Sequence, residues 1–206
     1  MAASDPLFKR LLRELRPSLA KQGFRRRGQN FVIESGECWG IVNFQRTLYP
    51  TTGQTKFTVN VAIASKTVLR FYGQRDDKPP RHYACHWGVR IGHFMDHRDK
   101  WWTLSDEASY RTALSDLDQT LATKVLPVLK SHLTECELLA LWEWTVGGFE
   151  YPMLKHKSVL LAERGEFEKL PAIFERIREI CHGGAAESAS EGHIKKVQER
   201  HWVKVQ

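Results

Sequence analysis

The sequence lacks both the long apolar runs of membrane proteins and the cysteine pairs of disulfide-rich proteins. No apolar segment approaches the roughly 20 residues that a transmembrane helix needs, so we expect no membrane partner. The N-terminus has an early acidic residue and no long apolar stretch, which is not typical of a secretory signal. No Cys-x-x-Cys pair occurs, and we expect reduced thiols in a cytoplasmic protein. The cysteines are widely scattered: Cys38, Cys85, Cys136 and Cys181.

The common linear signatures of catalysis are also missing. The sequence has no Walker-type loop, no Gly-x-Gly-x-x-Gly, no Gly-x-Ser-x-Gly and no His-Glu-x-x-His. The predicted strands hold no acidic residue followed by the Glu-x-Lys spacing of a nuclease core. A site that is assembled in three dimensions leaves no linear trace, so enzymatic activity stays open. The sequence nevertheless offers no catalytic residue and no cofactor.

Positive charge is plentiful and unevenly distributed. The net charge is +7, and residues 1–30 contain eight basic residues against two acidic ones. Such a patch attracts anionic partners, although it does not distinguish nucleic acid from an acidic protein or a membrane surface. We expect the three consecutive arginines to lie in a turn between Gly23 and Gly28 and to be mainly exposed. The candidate patch for an anionic partner comprises Lys21, Arg25, Arg26 and Arg27.

Residue periodicity predicts an α+β fold in which an antiparallel meander sheet packs on an N-terminal helix. Residues 5–22 repeat apolar side chains at helical spacing. The stretches 30–34, 38–49 and 56–64 are rich in β-branched and aromatic residues, and the two longer ones alternate between two faces. Turn sequences link the three stretches, so we expect three antiparallel strands. Residues 86–94 are a further candidate strand.

The pattern becomes helical from about residue 104 onward. We predict an α+β domain over residues 1–148 and a helical hairpin extension over 149–182 that packs on it. The segment 183–192 is rich in Gly, Ala and Ser, which is typical of a flexible linker. Residues 193–206 are predicted to be a basic tail.

One histidine-rich segment has spacings that are compatible with zinc ligation. However, His86 and His93 fall on opposite faces if 86–94 is a strand, and no second cysteine lies at the spacing that zinc knuckles use. We therefore predict no metal site and interpret these side chains as surface or hydrogen-bonded residues. The segment contains His82, Cys85, His86, His93 and His97.

Several polar residues interrupt the otherwise apolar predicted strands. Burying an amide or a guanidinium group is costly unless it is paired. Such residues therefore form either a satisfied internal network or the floor of a groove, and two tryptophans after the last predicted strand could line that groove. The candidate ligand groove comprises Asn43, Gln45, Asn60, Arg90, Trp101 and Trp102.

A resemblance to a known family covers about residues 8–145, and five short motifs carry it. They are Gly23–Phe24 before a basic turn, Asn43–Phe44–Gln45, Phe57 to Asn60, Arg90–Ile91–Gly92 and Trp101–Trp102. In this order the chain resembles the bacterial family called domain of unknown function 4304. The resemblance implies an α+β fold and a bacterial cytoplasm, and it supplies no catalytic residues.

Taken together, these features favour a non-catalytic cytoplasmic module that binds another macromolecule. The expected partner is a protein in a bacterial accessory system. An alternative is a nucleic-acid-binding protein that uses the basic first helix and the arginines Arg25–Arg27. A third hypothesis is a small-molecule or metal-dependent enzyme whose site lies on the polar sheet face of Asn43, Gln45, Asn60 and Arg90.

Overall fold

The computed structural model describes residues 6–49, 53–96, 98–143 and 150–202, and in these ranges the chain is an α+β protein. One long helix leads into a six-stranded antiparallel sheet, and most of the other helices follow the sheet in the chain. The predicted α+β class, with an antiparallel sheet, an N-terminal helix and C-terminal helices, is confirmed. The strands are β1 (Arg25–Arg27), β2 (Asn30–Glu34), β3 (Cys38–Arg46), β4 (Thr55–Ser65), β5 (Trp87–Arg90) and β6 (Trp102–Leu104).

Eight α-helices occur in the described ranges. None of these helices has both the length and the apolar character needed to span a bilayer. They are α1 (Pro6–Lys21), α2 (Lys66–Phe71), α3 (Glu107–Thr120), α4 (Leu126–Ser131), α5 (Glu135–Glu143), α6 (Glu150–Glu163), α7 (Leu170–Cys181) and α8 (Glu187–Trp202).

Helix α1 buries one apolar face and stops at a glycine. Gly23 has a φ of +92°, which a residue with a Cβ adopts only under strain. This conformation lets the Phe24 N–H donate to the Leu19 carbonyl over 3.0 Å and ends the helix. The chain then enters β1 directly. The buried residues of the helix are Phe8, Leu11, Leu12, Leu15 and Leu19.

The sheet is built around β4. Strands β1, β2, β3 and β4 pair in chain order, so the predicted antiparallel strands over 30–64 are confirmed. Both β5 and β6 pair with the other edge of β4: β5 along Asn60–Ile63 and β6 along Thr55–Phe57. Strand β4 is therefore paired on both sides at Phe57 and over Asn60–Ile63.

The inner face of the sheet is the hydrophobic core. Phe57 lies at its centre, with ring centroids 5.3 Å from Phe8, 6.3 Å from Phe44 and 5.6 Å from Trp102. Alternation along the strands directs these side chains toward α1 and α3. One continuous buried cluster extends from α1 through the sheet to α8. The C-terminal helices thus share the core of the sheet.

The outer face of the sheet has an apolar half and a polar half. The segment that follows α2 covers the apolar half. Cys85 packs against the two small clusters that contain Ile41 and Trp39, and the Trp39 indole donates to the Asp76 carbonyl over 3.0 Å. The polar half, at the other end of the central strands, contains most of the residues that the sequence singles out as a groove.

The C-terminal segment differs from its prediction. A linker is expected over 183–192 and a tail over 193–206, but Glu187–Trp202 forms helix α8. The helix is held by buried side chains at helical spacing, several of which are polar or small, so the apolar pattern is weak in the sequence. The predicted domain boundary at 148 and the residues after 202 lie outside the described ranges. The buried residues are Ser190, His193, Ile194, Val197 and His201.

Candidate functional site

A row of polar residues crosses five strands on the outer face of the sheet. The antiparallel register aligns one residue of each strand with its neighbour, and directly opposed residues share a face. We call this set the polar row. It consists of Arg27, Asn30, Asn43, Asn60 and Arg90.

Hydrogen bonds between amide side chains run along the polar row. Asn43 Nδ2 donates to Asn30 Oδ1 over 2.7 Å. Asn60 Nδ2 donates both to Asn43 Oδ1 over 3.0 Å and to Gln45 Oε1 over 2.9 Å. These bonds satisfy Asn43, which is only 7% exposed, and they offset the cost of burying its amide. Within the described residues, Asn60 Oδ1 and the Gln45 amide nitrogen make no hydrogen bond and are available to a ligand.

One end of the polar row carries an aromatic ring, Trp101, that two cations approach. The Asp99 carboxylate accepts hydrogen bonds from the Trp101 indole over 2.9 Å and from Arg90. The hydrogen bond from Trp101 and the contact with Arg90 hold the pKa of Asp99 below its usual range. The Arg90 guanidinium carbon lies 5.3 Å from the Trp101 ring centroid, and Lys56 Nζ lies 5.5 Å from it. Asp99 thereby fixes both Arg90 and the indole ring.

Five of the six residues predicted for the groove lie together on the outer face: Asn43, Gln45, Asn60, Arg90 and Trp101. Trp102 does not lie with them. Its position opposite Phe57 in the β4–β6 pairing directs it to the inner face, where it is 5% exposed. The assignment of Trp102 to the groove is therefore wrong.

Asn30 and Lys56 are among the residues of this surface that sequence analysis missed. Asn30 begins the predicted strand 30–34, and only the register between β2 and β3 aligns it with Asn43. Lys56 begins the predicted strand 56–64, where a charged residue is ordinary. The alternation of β4 alone could have placed Lys56 on the same face as Asn60.

The three arginines form a strand and not a turn. They make up β1, and the turn to β2 is the two-residue loop after Arg27, in which Gly28 has a φ of +63°. All three side chains are exposed, which confirms the predicted exposure. The register places Arg26 opposite Phe31 on the helix side of the sheet and Arg25 opposite Val32 on the outer side. The predicted patch is thus divided between two faces.

Replacing Arg25, Arg26 and Arg27 together by Gln is expected to leave the melting temperature nearly unchanged. Arg25 makes a 3.2 Å ion pair with Glu34, and exposed pairs of this kind contribute less than about 1 kcal/mol. The variant should bind an anionic partner more weakly, and the loss should shrink as salt screens the charges over a Debye length of about 8 Å. Thermal unfolding followed by circular dichroism tests the first part, and a fall of about 5 °C or more would contradict it.

The described side chains of the histidine-rich segment form no cluster around one point, in keeping with their interpretation as separate residues. His86 Nδ1 accepts a hydrogen bond from the Ser65 N–H over 2.9 Å, and its ring lies 4.6 Å from that of His156. Burial lowers the pKa of His86 well below its ordinary value. In the described ranges no group of three or more His, Cys, Asp or Glu side chains is placed to hold a metal ion, and His97 lies outside them. The absence of bound metal remains a prediction.

A largely buried hydrogen-bond chain links Tyr72, the residue that caps α2, with α6 and α8. The Ser158 hydroxyl donates to the Lys155 carbonyl over 2.8 Å, so its oxygen accepts from His193 Nε2 over 2.9 Å. The other ring nitrogen of His193 then accepts from the Tyr72 hydroxyl over 3.3 Å. This arrangement requires a neutral imidazole, and burial lowers the pKa of His193 to about 4.

The fold and the site define an α+β domain whose sheet has a sealed inner face and a polar row on its outer face. The family model described as Domain of unknown function (DUF4304) matches residues 15–131, which is more than half of the 206 residues, so the chain belongs to this family. The match includes the whole polar row and Trp101, and it ends with α4. No curated protein and no solved structure matches the chain.

Proposed function

We propose that this protein is a non-catalytic binding module whose polar row holds an extended segment of a partner protein. The observation that supports this proposal is the line of amide side chains that ends in unused hydrogen-bonding groups on Asn60 and Gln45. An extended peptide presents one donor and one acceptor per residue, which such amides can satisfy. Five strands spaced about 4.8 Å apart give a surface about 19 Å long, enough for about six extended residues.

The charges of this surface favour an acidic partner segment. Arg27 stands at one end of the polar row, and Arg90 and Lys56 stand at the other. Opposite charges on a partner increase the rate of encounter and fix the direction in which it binds. Trp101 adds an amphipathic aromatic surface of the type that anchors protein interfaces.

The exposed face of α1 supports a second candidate, a nucleic-acid-binding protein. Lys9, Arg13 and Arg16 are exposed along this helix, and Arg26 lies on the same side of the sheet. Phosphate contacts from such a surface require no base-specific groups. Single-stranded nucleic acid also needs stacking rings, and within the described residues only Trp101 stacks on a cation of the polar row. We therefore favour the protein partner.

We place this binding activity in the bacterial cytoplasm, as part of an accessory system. All four cysteines are free, which suits a reducing compartment. A bacterial source is supported by the sequence resemblance to a bacterial family.

A titration observed by ¹⁵N–¹H NMR tests the proposal. We expect a panel of acidic ten-residue peptides to shift the side-chain amide signals of Asn43, Asn60 and Gln45, and matched neutral peptides to shift them less. Gln45→Ala should weaken the response because the Gln45 amide nitrogen is available to the peptide. Gln119→Ala is the matched control, since it removes an exposed amide on α3.

The same titration with single-stranded oligonucleotides separates the two candidates. If oligonucleotides shift the backbone signals of α1 while the acidic peptides leave the polar row unchanged, the nucleic-acid function replaces the protein partner. If acidic peptides shift signals elsewhere but not in the polar row, the site assignment is wrong.

A further inference from the structure

A shallow, open pocket of about 450 Å³ includes Arg90, the last residue of the polar row. It lies where β5 passes into the short 3-10 helix Ile91–Phe94. Two guanidinium groups and one imidazole face the same space, so the pocket has the composition of an anion site. The residues that line it are Val89, Arg90, His93, Arg98 and Asp99.

The backbone brings the two arginines together. Gly92 packs so closely on the returning chain that an added Cβ would overlap the Arg98 carbonyl oxygen. The Thr58 hydroxyl donates to the Lys100 carbonyl over 2.7 Å and fixes the same segment from the sheet. Arg98 is thereby held beside Arg90, eight residues away in sequence.

The charged side chains that line the pocket have a net positive charge, which attracts anions. Asp99 is hydrogen-bonded to one nitrogen of Arg90, Nη1, and the remaining N–H groups of that guanidinium are not used by this pair. Arg98 contributes a second full charge, and Lys56 is close enough to act on Asp99. Asp96 is a nearby acid, but its side chain accepts from the Arg98 backbone N–H over 3.3 Å and does not line the pocket.

We propose that this pocket binds a phosphate monoester group. This inference rests on the proposed function, because the pocket continues the polar row and would anchor one end of the bound segment. A doubly charged phosphate competes with the Asp99 carboxylate for Arg90, whereas a singly charged diester or carboxylate competes poorly. Paired guanidinium groups match the geometry of phosphate oxygens. The group is either a phosphorylated side chain of the partner or a free phosphorylated small molecule.

Inorganic phosphate alone is the first probe. We expect a millimolar titration to shift the Trp101 indole signal and the Arg90 Nε–H signal in ¹⁵N–¹H NMR, with acetate and the dinucleotide TpT giving much smaller shifts. Arg98→Gln should weaken phosphate binding about tenfold, as expected for the loss of a charge-assisted hydrogen bond. Arg75→Gln is the matched control, because Arg75 is an exposed arginine beside an acidic residue in another loop.

A second set of probes distinguishes the source of the phosphate. One probe is an acidic peptide with one phosphoserine. If it binds more tightly than both its unphosphorylated form and glycerol phosphate, the phosphate group belongs to the partner protein. Glycerol phosphate that binds as tightly as the phosphopeptide would identify a small molecule. If phosphate shifts neither signal, the pocket is not a phosphate site. If acidic peptides still shift the signals of the polar row in that case, the proposed function stands. Equal responses to phosphate and TpT would overturn the monoester assignment.

Discussion

Phe57→Ala is expected to lower the free energy of unfolding by about 3–5 kcal/mol, because it removes a buried ring at the centre of the core. Phe57 is fully buried and contacts the rings of Phe8, Phe44 and Trp102. The loss should also loosen β6, since Phe57 and Trp102 are directly paired there. Urea unfolding at neutral pH measures the change.

Leu48→Ala is the control for this substitution. Leu48 is 85% exposed in the chain that follows β3, so its truncation should change stability by less than about 0.5 kcal/mol. If Phe57→Ala were as mild as Leu48→Ala, the inner face of the sheet could not be the core. The NMR signal of the Trp101 indole should move in Phe57→Ala and stay in place in Leu48→Ala. This result would show that the core positions the outer site through β6.

Acidification from pH 7 to pH 5 is expected to destabilise the protein, and His193 should account for about 2 kcal/mol of the loss. An unfolded histidine has a pKa of about 6.5, whereas burial lowers the pKa of His193 to about 4. The unfolded chain therefore binds the proton more readily, and stability falls as the pH decreases through this interval. The positive charges of Lys155 and Lys196 and the neighbouring His156 act in the same direction.

Comparison of His193→Gln with the unmodified protein tests this assignment. Glutamine cannot take up a proton, so the difference in stability between pH 7 and pH 5 should shrink by about 2 kcal/mol even if the variant is less stable at both values. His182→Gln is the control, because its side chain is 86% exposed. His156, whose pKa burial also lowers to about 4, should retain part of the pH dependence. An unchanged pH dependence in His193→Gln would rule out a role for this histidine.

The parts of the fold that the sequence predicts are those with one dominant periodicity. Helix α1 repeats leucine at helical spacing, and β4 alternates polar and apolar residues from Lys56 to Val61. Strand β1 was not predicted because three consecutive arginines show no alternation of polar and apolar residues. Helix α8 was not predicted because its buried face includes the polar residues Ser190 and His193. These side chains are buried because they form hydrogen bonds, and not because they are hydrophobic.

From the sequence alone, residues of the site could be grouped only where they lie on the same strand. Asn43 and Gln45 lie two residues apart on β3, so their shared face follows from the sequence. Asn60 and Arg90 lie beside Asn43 only because of the register between the strands. Long-range packing determines that register, so the sequence of one strand does not reveal it. The same dependence explains Trp101 and Trp102: adjacent residues point to opposite faces, and only the pairing of β6 with β4 shows which one faces the core.

The arginines of β1 have a consequence for self-association. In the strand order of the described residues, β1 is the terminal strand, and the outer edge of a terminal strand can template pairing with another chain. Two copies joining edge to edge would bring rows of guanidinium groups within about 5 Å of each other. Their mutual repulsion opposes such aggregates. A foreign strand that adds to this edge would instead have to supply carboxylates opposite Arg25 and Arg27.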